Sequence, residues 1–257
     1  MKDSENQKTK YQPVPPAKEP KWIAVPKWIR VRFGDKYIAD SRHVMLMREM
    51  PPVYYFPKED VKLDYLKRGT KTTKSEDYGT ASYWHVEAGG DSVQNAAWCY
   101  ETPAQDAPAG ISNYIAFKWD AMEKWMEEDE VVYAHPRDPY SRIDIRYSSQ
   151  HVRVDIGGHT LAESHAPVIL FETGAPPRYY LKPADVRMDL LKPTSLHTEC
   201  PYKGRASYYS VMIDGKEFKN FVWYYPFPYP EMAKIRGLLT LFPEKADGFY
   251  IDGERLV

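Results

Sequence analysis

The chain has 257 residues, of which 43% are hydrophobic, 14% aromatic and 28% charged, and its formal net charge is −1. This hydrophobic content is enough for a folded core, which excludes a chain disordered throughout, and the net charge offers no global field to attract nucleic acid or an anionic membrane. Two cysteines, Cys99 and Cys200, are too few for a disulfide framework or a four-cysteine zinc site, so we predict no metal and no other cofactor.

Residues 1–27 are polar and rich in proline and are expected to form a disordered or extended lead. They contain no apolar core of the kind found in signal peptides, and no apolar run anywhere approaches the roughly 18 residues of a membrane span. The sequence therefore predicts a cytoplasmic protein without a membrane or nucleic-acid partner. Its many tyrosines, tryptophans and prolines favour a mainly β fold with a few helices.

The first repeat unit is predicted to span residues 28–130 and to begin with a hairpin around Gly34 and Asp35. Strands are expected at 44–47, 53–56, 81–86 and 95–100, the last two joined by a glycine turn. Apolar residues at helical spacing predict a helix over 109–126. The acidic run 127–130 would then oppose the helix dipole, so basic partners are expected for it.

Residues 131–150 contain several prolines and predict a stiff connector. Arg137 and Tyr140 lie within it, where side chains could either join the two halves or contact a bound molecule. The second repeat unit is expected over 151–257. Residues 248–257 predict a closing strand, for which the first half shows no equivalent.

The second half of the chain repeats the first. The matching segments share a steady spacing in number and include Ala39-Asp40-Ser41 with Ala162-Glu163-Ser164, Tyr54-Tyr55 with Tyr179-Tyr180, Asp60-Val61 with Asp185-Val186, Ala81-Ser82-Tyr83 with Ala206-Ser207-Tyr208, and Asn95, Trp98 and Tyr100 with Asn220, Trp223 and Tyr225. Glu49 likewise matches Glu172. Such a pattern indicates two copies of one structural unit. Residues kept in both copies are expected to maintain the fold, the aspartates by capping and turn hydrogen bonds.

Three reactive residues occur only in the second copy. His197, Cys200 and Lys203 stand where the first copy has Thr72, Ser75 and Tyr78. If the three converge in a tight turn, the thiol could act as a nucleophile or base beside a positive charge, and the imidazole could move a proton near neutral pH. Alternatively, Cys200 is a small buried side chain, His197 binds a loop carbonyl and Lys203 pairs with an acid.

Four motifs together resemble the family called domain of unknown function 427, in its tandem form. They are Tyr-Tyr-x-x-x-x-Asp-Val, the segment from His197 to Tyr208, Trp-x-Tyr-Pro, and the acidic run continued through His135-Pro-Arg-Asp-Pro-Tyr140. The resemblance covers about residues 29–256 and implies a beta-tent fold, in which each unit has two antiparallel sheets leaning together. It also carries a nucleotidyltransferase label, which is disfavoured here because the sequence lacks a glycine-rich phosphate loop and a close metal-binding acid pair.

The residues of the second copy favour a small-molecule enzyme that acts by proton transfer, as an isomerase, cyclase or lyase. In that hypothesis Arg178 and Arg187 hold a carboxylate or enolate oxygen. The ligand would lie against an aromatic wall that includes Tyr180, Tyr208 and Trp223. The alternative is a non-catalytic module that binds a small molecule or a protein. The sequence specifies neither the substrate nor the oligomeric state.

Overall fold

The computed structural model describes residues 21–256. The chain forms two compact units that meet in sequence between Asp138 and Pro139. Each unit consists of one seven-stranded and one four-stranded antiparallel sheet. The predictions of a mainly β protein and of two repeated sheet units in tandem are therefore confirmed, while the beta-tent name stays a prediction from the resemblance.

The first unit contains eleven strands. They are β1 (Trp22–Ala24), β2 (Ile29–Phe33), β3 (Lys36–Ser41), β4 (Met45–Met47), β5 (Val53–Pro57), β6 (Leu66–Ser75), β7 (Gly79–Ala88), β8 (Asp91–Pro103), β9 (Tyr114–Phe117), β10 (Lys124–Glu127) and β11 (Glu130–Val132). The larger sheet has the order β1-β4-β5-β9-β8-β7-β6 and the smaller one β11-β10-β2-β3. Short 3-10 helices connect them at Lys58–Asp60, Leu63–Tyr65, Ile111–Asn113 and Trp119–Ala121.

The second unit repeats this arrangement strand for strand. Its strands are β12 (Ile143–Tyr147), β13 (Val152–Ile156), β14 (His159–Ser164), β15 (Val168–Glu172), β16 (Arg178–Leu181), β17 (Leu191–Cys200), β18 (Gly204–Ile213), β19 (Lys216–Tyr224), β20 (Leu239–Leu241), β21 (Gly248–Ile251) and β22 (Glu254–Arg255). Its sheets have the orders β12-β15-β16-β20-β19-β18-β17 and β14-β13-β21-β22. Its 3-10 helices are Pro183–Asp185, Met188–Leu190, Pro230–Ile235 and Pro243–Lys245.

The boundary regions contain more regular structure than the sequence suggested. Residues 1–20 of the expected lead lie outside the described residues, and Trp22–Ala24 form β1, which pairs with β4. The expected connector, 131–150, includes the end of β11 and all of β12. The closing strand β21 pairs with β13 just as β10 pairs with β2, so the first unit does have the equivalent that seemed to be missing.

The helix predicted over 109–126 is wrong. This segment forms two short 3-10 helices and the strands β9 and β10, because β9 pairs with both β5 and β8 and the sheet fixes its conformation. Its apolar residues still face the core, and Trp125 is 3% exposed. The acidic run lies at a hairpin instead of a helix end, where Lys27 pairs with Glu127 and Arg30 with Asp129. The expected basic partners therefore come from the start of the unit.

Each unit buries side chains on both faces of its larger sheet. One cluster fills the space between the two sheets, and in the first unit it includes Ile29 and Val31 from the smaller sheet and Phe56 from the larger. A second cluster covers part of the opposite face and includes Tyr55 in the first unit and Tyr180 in the second. The residues proposed from sequence for the second copy lie mainly on this opposite face.

Residues shared by both copies maintain the fold, as predicted. Ser41 donates a hydrogen bond to Asp60 at 2.6 Å, and Ser164 donates one to Asp185 at 2.7 Å. The strand residue Asn95 has a φ of 52°, a left-handed conformation that asparagine tolerates better than most residues. No helix between residues 21 and 256 is long and apolar enough to cross a membrane.

Candidate functional sites

The three reactive residues of the second copy do not converge. Strand β17 runs through His197 to Cys200, so these side chains, three residues apart, point to opposite faces of the sheet. The Nδ1 atom of His197, an exposed residue, lies 3.3 Å from the carbonyl oxygen of Ala206 and 3.2 Å from the Ser207 hydroxyl. The prediction that His197 joins Cys200 and Lys203 is wrong, because the turn they were placed in is mostly extended strand.

Lys203 pairs with Glu172, an acid that was not among the predicted site residues. Its Nζ atom donates a hydrogen bond to Oε2 of Glu172 at 2.7 Å and lies 3.9 Å from Sγ of Cys200. The lysine side chain is 10% exposed and the glutamate side chain 23%. Glu172 is the last residue of β15. Its match to Glu49 in the first copy is the feature of the sequence that could have indicated its importance.

Tyrosines surround this ion pair. Burial raises the pKa of Tyr180 well above its ordinary value, and nearby Cys200 and Glu172 raise it further. The pKa of Tyr225 is raised in the same way, by burial and then by Tyr180. Both hydroxyls therefore stay protonated at neutral pH. The Tyr208 hydroxyl is 2.8 Å from Oγ1 of Thr198, on the same sheet face as Cys200.

The first unit has a related cluster around Glu49. Burial raises the pKa of Glu49, although a hydrogen bond from Tyr78 partly offsets this effect. Burial also raises the pKa of Tyr100 to about 12, with Glu49 adding to the shift. An acid among tyrosines is thus common to both copies and belongs to the fold. What distinguishes the second copy is Lys203 in place of Tyr78, together with its neighbouring thiol.

Arg178 and Trp223 lie close together, as the aromatic-wall hypothesis requires, but both are already in contact with other side chains of the unit. The Arg178 guanidinium carbon lies 5.7 Å from the Trp223 ring centre, and its Nη2 atom donates a hydrogen bond to Glu244 at 3.0 Å. The Phe242 ring centre is 4.2 Å from that of Trp223. Trp223 is consequently only 8% exposed.

The other predicted binding residues lie elsewhere. Arg187 pairs with Asp189 at 2.6 Å and lines a separate cavity of about 320 Å³ together with Glu163 and Asp185. Arg137 belongs to the first unit and Tyr140 to the second, and both are exposed. The residues that were predicted to form one binding site therefore lie in several separate parts of the structure. In the described part of the chain, no group of three or more His, Cys, Asp or Glu side chains is placed to hold a metal ion.

A cavity of about 560 Å³ opens in the first unit, and we call it the tryptophan cavity. It is lined by Pro51, Pro52, Val53, Tyr54, Val93, Trp98, Phe117, Lys118, Trp119, Asp120, Ala121, Trp125, His135 and Pro136. The cavity was not predicted from the sequence, although two of its tryptophans, Trp119 and Trp125, lie in the segment 109–126 whose apolar spacing predicted a helix. The 3-10 helix after β9 places Trp119 at the cavity instead, and strand β10 places Trp125 there.

The walls of the tryptophan cavity are fixed by contacts within the unit. The rings of Trp119 and Trp125 are stacked, with centres 4.4 Å apart and planes inclined by 6°. The Trp125 indole N–H donates a hydrogen bond to the Trp119 carbonyl at 3.0 Å. Nδ1 of His135 lies 2.9 Å from the Pro136 carbonyl oxygen. Because a carbonyl oxygen only accepts, Nδ1 carries a proton in this hydrogen bond, which leaves Nε2 as the ring nitrogen available to another partner.

A sequence model of the family described as domain of unknown function (DUF427) matches residues 22–128 and again residues 144–252. The two matches fall on the two structural units, one on each side of Asp138. No curated protein matches the chain.

Proposed function

We propose that this chain, which belongs to the family of domain of unknown function 427, binds a planar small organic molecule in the tryptophan cavity. One observation carries this proposal: a cavity of about 560 Å³ lined by three tryptophans together with Tyr54 and Phe117. Small-molecule sites typically enclose about 300–1,000 Å³ and combine mainly apolar walls with a few polar groups. Here Lys118, Asp120 and His135 supply the polar groups.

The aromatic walls favour a flat ligand. Trp98 and Trp119 each keep part of their surface accessible, and an indole face binds a planar ring through stacking and burial of apolar area. The stacked Trp119–Trp125 pair costs the ligand little ordering entropy, because its geometry is already fixed by the sheet and the 3-10 helix. A preformed wall of this kind is suited to binding and orienting a ligand.

The test is a screen of planar aromatic and heteroaromatic compounds, read by quenching of tryptophan fluorescence and by native mass spectrometry. Ala121 lines the cavity, so Ala121→Trp should fill it and abolish binding. Lys245 is exposed and is the last residue of the equivalent 3-10 helix in the second unit, as Ala121 is in the first. Lys245→Trp is therefore the matched control and should leave binding intact. Binding that survives Ala121→Trp, or a screen without any binder, would refute the proposal.

A second candidate function is proton transfer in the second unit, as an isomerase, cyclase or lyase. The observation that favours it is the placement of the Lys203 ammonium 2.7 Å from Glu172 and 3.9 Å from the Cys200 thiol. A lysine between a carboxylate and a thiol could deliver or accept a proton at either neighbour. Access would be through the partly exposed side of Glu172 and Cys200, because Lys203 itself is 8% exposed.

Alkylation with iodoacetamide tests this candidate, with Cys99 as an internal control because it is fully buried. A working thiol beside Lys203 should react at neutral pH at least as fast as free glutathione, and Lys203→Met should slow it. Cys200 that reacts as slowly as Cys99 would exclude this role. A cytoplasmic location and the lack of membrane and nucleic-acid partners stay predictions from composition.

A further inference from the structure

The second unit shows what can occupy the place of the tryptophan cavity, because the two backbones correspond there residue by residue. Lys118 donates its backbone N–H to the Ala96 carbonyl at 2.8 Å, and Phe242 donates its own to the Phe221 carbonyl at 3.3 Å. Each residue stands immediately before a three-residue 3-10 helix. Lys118 and Phe242 are therefore structural equivalents.

The surrounding positions correspond in the same way. Trp98 is paired across the sheet with Ala116, and Trp223 with Thr240, the second-last residue before Phe242. Val53 is paired with Met47 in the first unit, and Arg178 with Leu170 in the second. The second residues of the two 3-10 helices are Asp120 and Glu244.

In the second unit the chain covers its own tryptophan. The Phe242 ring lies 4.2 Å from Trp223, the Arg178 guanidinium lies 5.7 Å from the same indole, and Glu244 pairs with that guanidinium at 3.0 Å. Three groups are combined: an aromatic ring, a planar cation, and a carboxylate that neutralises the cation. The protein itself supplies both the ring and the cation.

In the first unit the carboxylate is kept but the ring and the cation are not. Val53 is too short to reach over Trp98 as Arg178 reaches over Trp223. Lys118 is exposed and supplies no aromatic ring at the position of Phe242, and its Nζ atom lies 5.9 Å from the Tyr83 ring centre. Among residues 21–256, Asp120 has no ion-pair partner. The result is the open cavity lined by Trp98, with an acid at its edge.

We infer that the tryptophan cavity takes a planar aromatic cation, whose ring occupies the place of Phe242 and whose positive group lies at Asp120. The inference rests on the proposed function and adds the chemical class of the ligand. An indole face attracts a cation, and a carboxylate forms its strongest hydrogen bonds with charged N–H groups. The Nε2 atom of His135, which accepts a hydrogen bond whenever it carries no proton, also suits a ligand that carries N–H donors.

The experiment compares benzamidine, benzamide and benzoate, which share ring and shape but are cationic, neutral and anionic at pH 7.5. Binding to the full chain is measured by tryptophan fluorescence and calorimetry in buffer of low ionic strength. We expect benzamidine to bind about tenfold more tightly than benzamide, as one charge-assisted hydrogen bond implies. Asp120→Asn should reduce this preference to about twofold or less. Glu244→Gln, the matched change in the second unit, should leave it unchanged.

A second variant gives the first unit the side chains of the second. Val53→Arg with Lys118→Phe should abolish benzamidine binding, and a thermal melt checks that this double variant folds. If the double variant does not fold, Asp120→Asn still decides the test, because it changes only an exposed residue. Equal binding of all three compounds, or a preference that survives Asp120→Asn, overturns the cation inference while the proposed binding function stands. Failure of every planar compound to bind overturns both.

Discussion

The ion pair between Lys203 and Glu172 provides the sharpest test of the second unit. The perturbation is Lys203→Met, which keeps most of the side-chain volume and removes the ammonium. In the wild type the Nζ–Oε2 distance is 2.7 Å, and the two side chains are 10% and 23% exposed. The variant therefore leaves a mostly covered carboxylate among tyrosines, without its counter-charge.

The expected loss of stability follows from three contributions. Opposite charges 2.7 Å apart attract by about 6 kcal/mol at an effective dielectric constant of about 20, but each ion loses several kcal/mol of hydration on burial. Removing one member of a buried pair typically costs about 3–5 kcal/mol, because the other charge stays uncompensated. Since Glu172 keeps part of its hydration, we expect about 2–3 kcal/mol for Lys203→Met.

Urea denaturation of the full chain, with hydrogen exchange of the β15, β17 and β18 amides to localise the effect, measures this loss. The matched control is Lys192→Met, which removes an exposed lysine from β17, the strand that leads into the turn of Lys203, and should change stability by less than about 0.5 kcal/mol. The double variant Lys203→Met with Glu172→Gln should recover at least half of the loss, because no buried charge remains. A Lys203→Met protein as stable as the Lys192→Met control would refute the reasoning.

Three further predictions concern the first unit and the residues shared by both copies. The hydrogen bond from Arg68 lowers the pKa of Glu101 to about 2. The ionised Glu101 therefore stabilises the folded state fully above its ordinary pKa of 4.5, and this stabilisation is lost as pH falls towards 2. Acid titration of Arg68→Ala, followed by circular dichroism, should show a weaker dependence of stability on pH over this range. Burial raises the pKa of Glu49, which destabilises the folded state above that raised pKa, so Glu49→Gln should be more stable than the wild type at pH 7.5, with the difference in urea midpoint disappearing below pH 4.5. The strand residues Asn95 and Asn220 have φ values of 52° and 50°, so alanine at either position should cost about 1 kcal/mol in urea denaturation whereas glycine should be nearly neutral.

The fold was largely predictable because the chain contains two copies of one unit, whose sequences can be compared with each other. Residues kept in both copies, such as the Asn95–Asn220 pair, indicated where backbone geometry was essential, and both asparagines do have positive φ. The capping role expected for the shared aspartates is wrong, because Asp60 and Asp185 accept hydrogen bonds from serine side chains and their 3-10 helices have no side-chain cap. The helix over 109–126 was predicted wrongly because apolar spacing describes only local geometry. Whether such a segment becomes a strand depends on free edges elsewhere, and β5 and β8 provide two such edges for β9.

The candidate sites were less predictable, because they depend on which side chain reaches which neighbour. His197 and Cys200 were close in sequence, but the alternation of the extended strand β17 separates them. The alternative interpretation, in which these residues have structural roles, was nearer to the structure: Lys203 pairs with an acid and His197 lies beside a backbone carbonyl. The tryptophan cavity could not be found before the turn after β9 was known, since that turn positions Trp119 and Asp120.

The hairpins β10–β11 and β21–β22 have a consequence for how the protein is made on the ribosome. In each unit, the first strand of the smaller sheet pairs with a strand made about 95 residues later: β2 with β10, and β13 with β21. Non-local pairing of this kind folds slowly, and domains generally fold as units during synthesis. The first unit therefore completes its smaller sheet only after Val132 has left the exit tunnel, by which time synthesis of the second unit has begun. Until then the edge of β2 that later pairs with β10 is exposed, and the charged residues Arg30 and Arg32 along it would discourage pairing with other nascent chains.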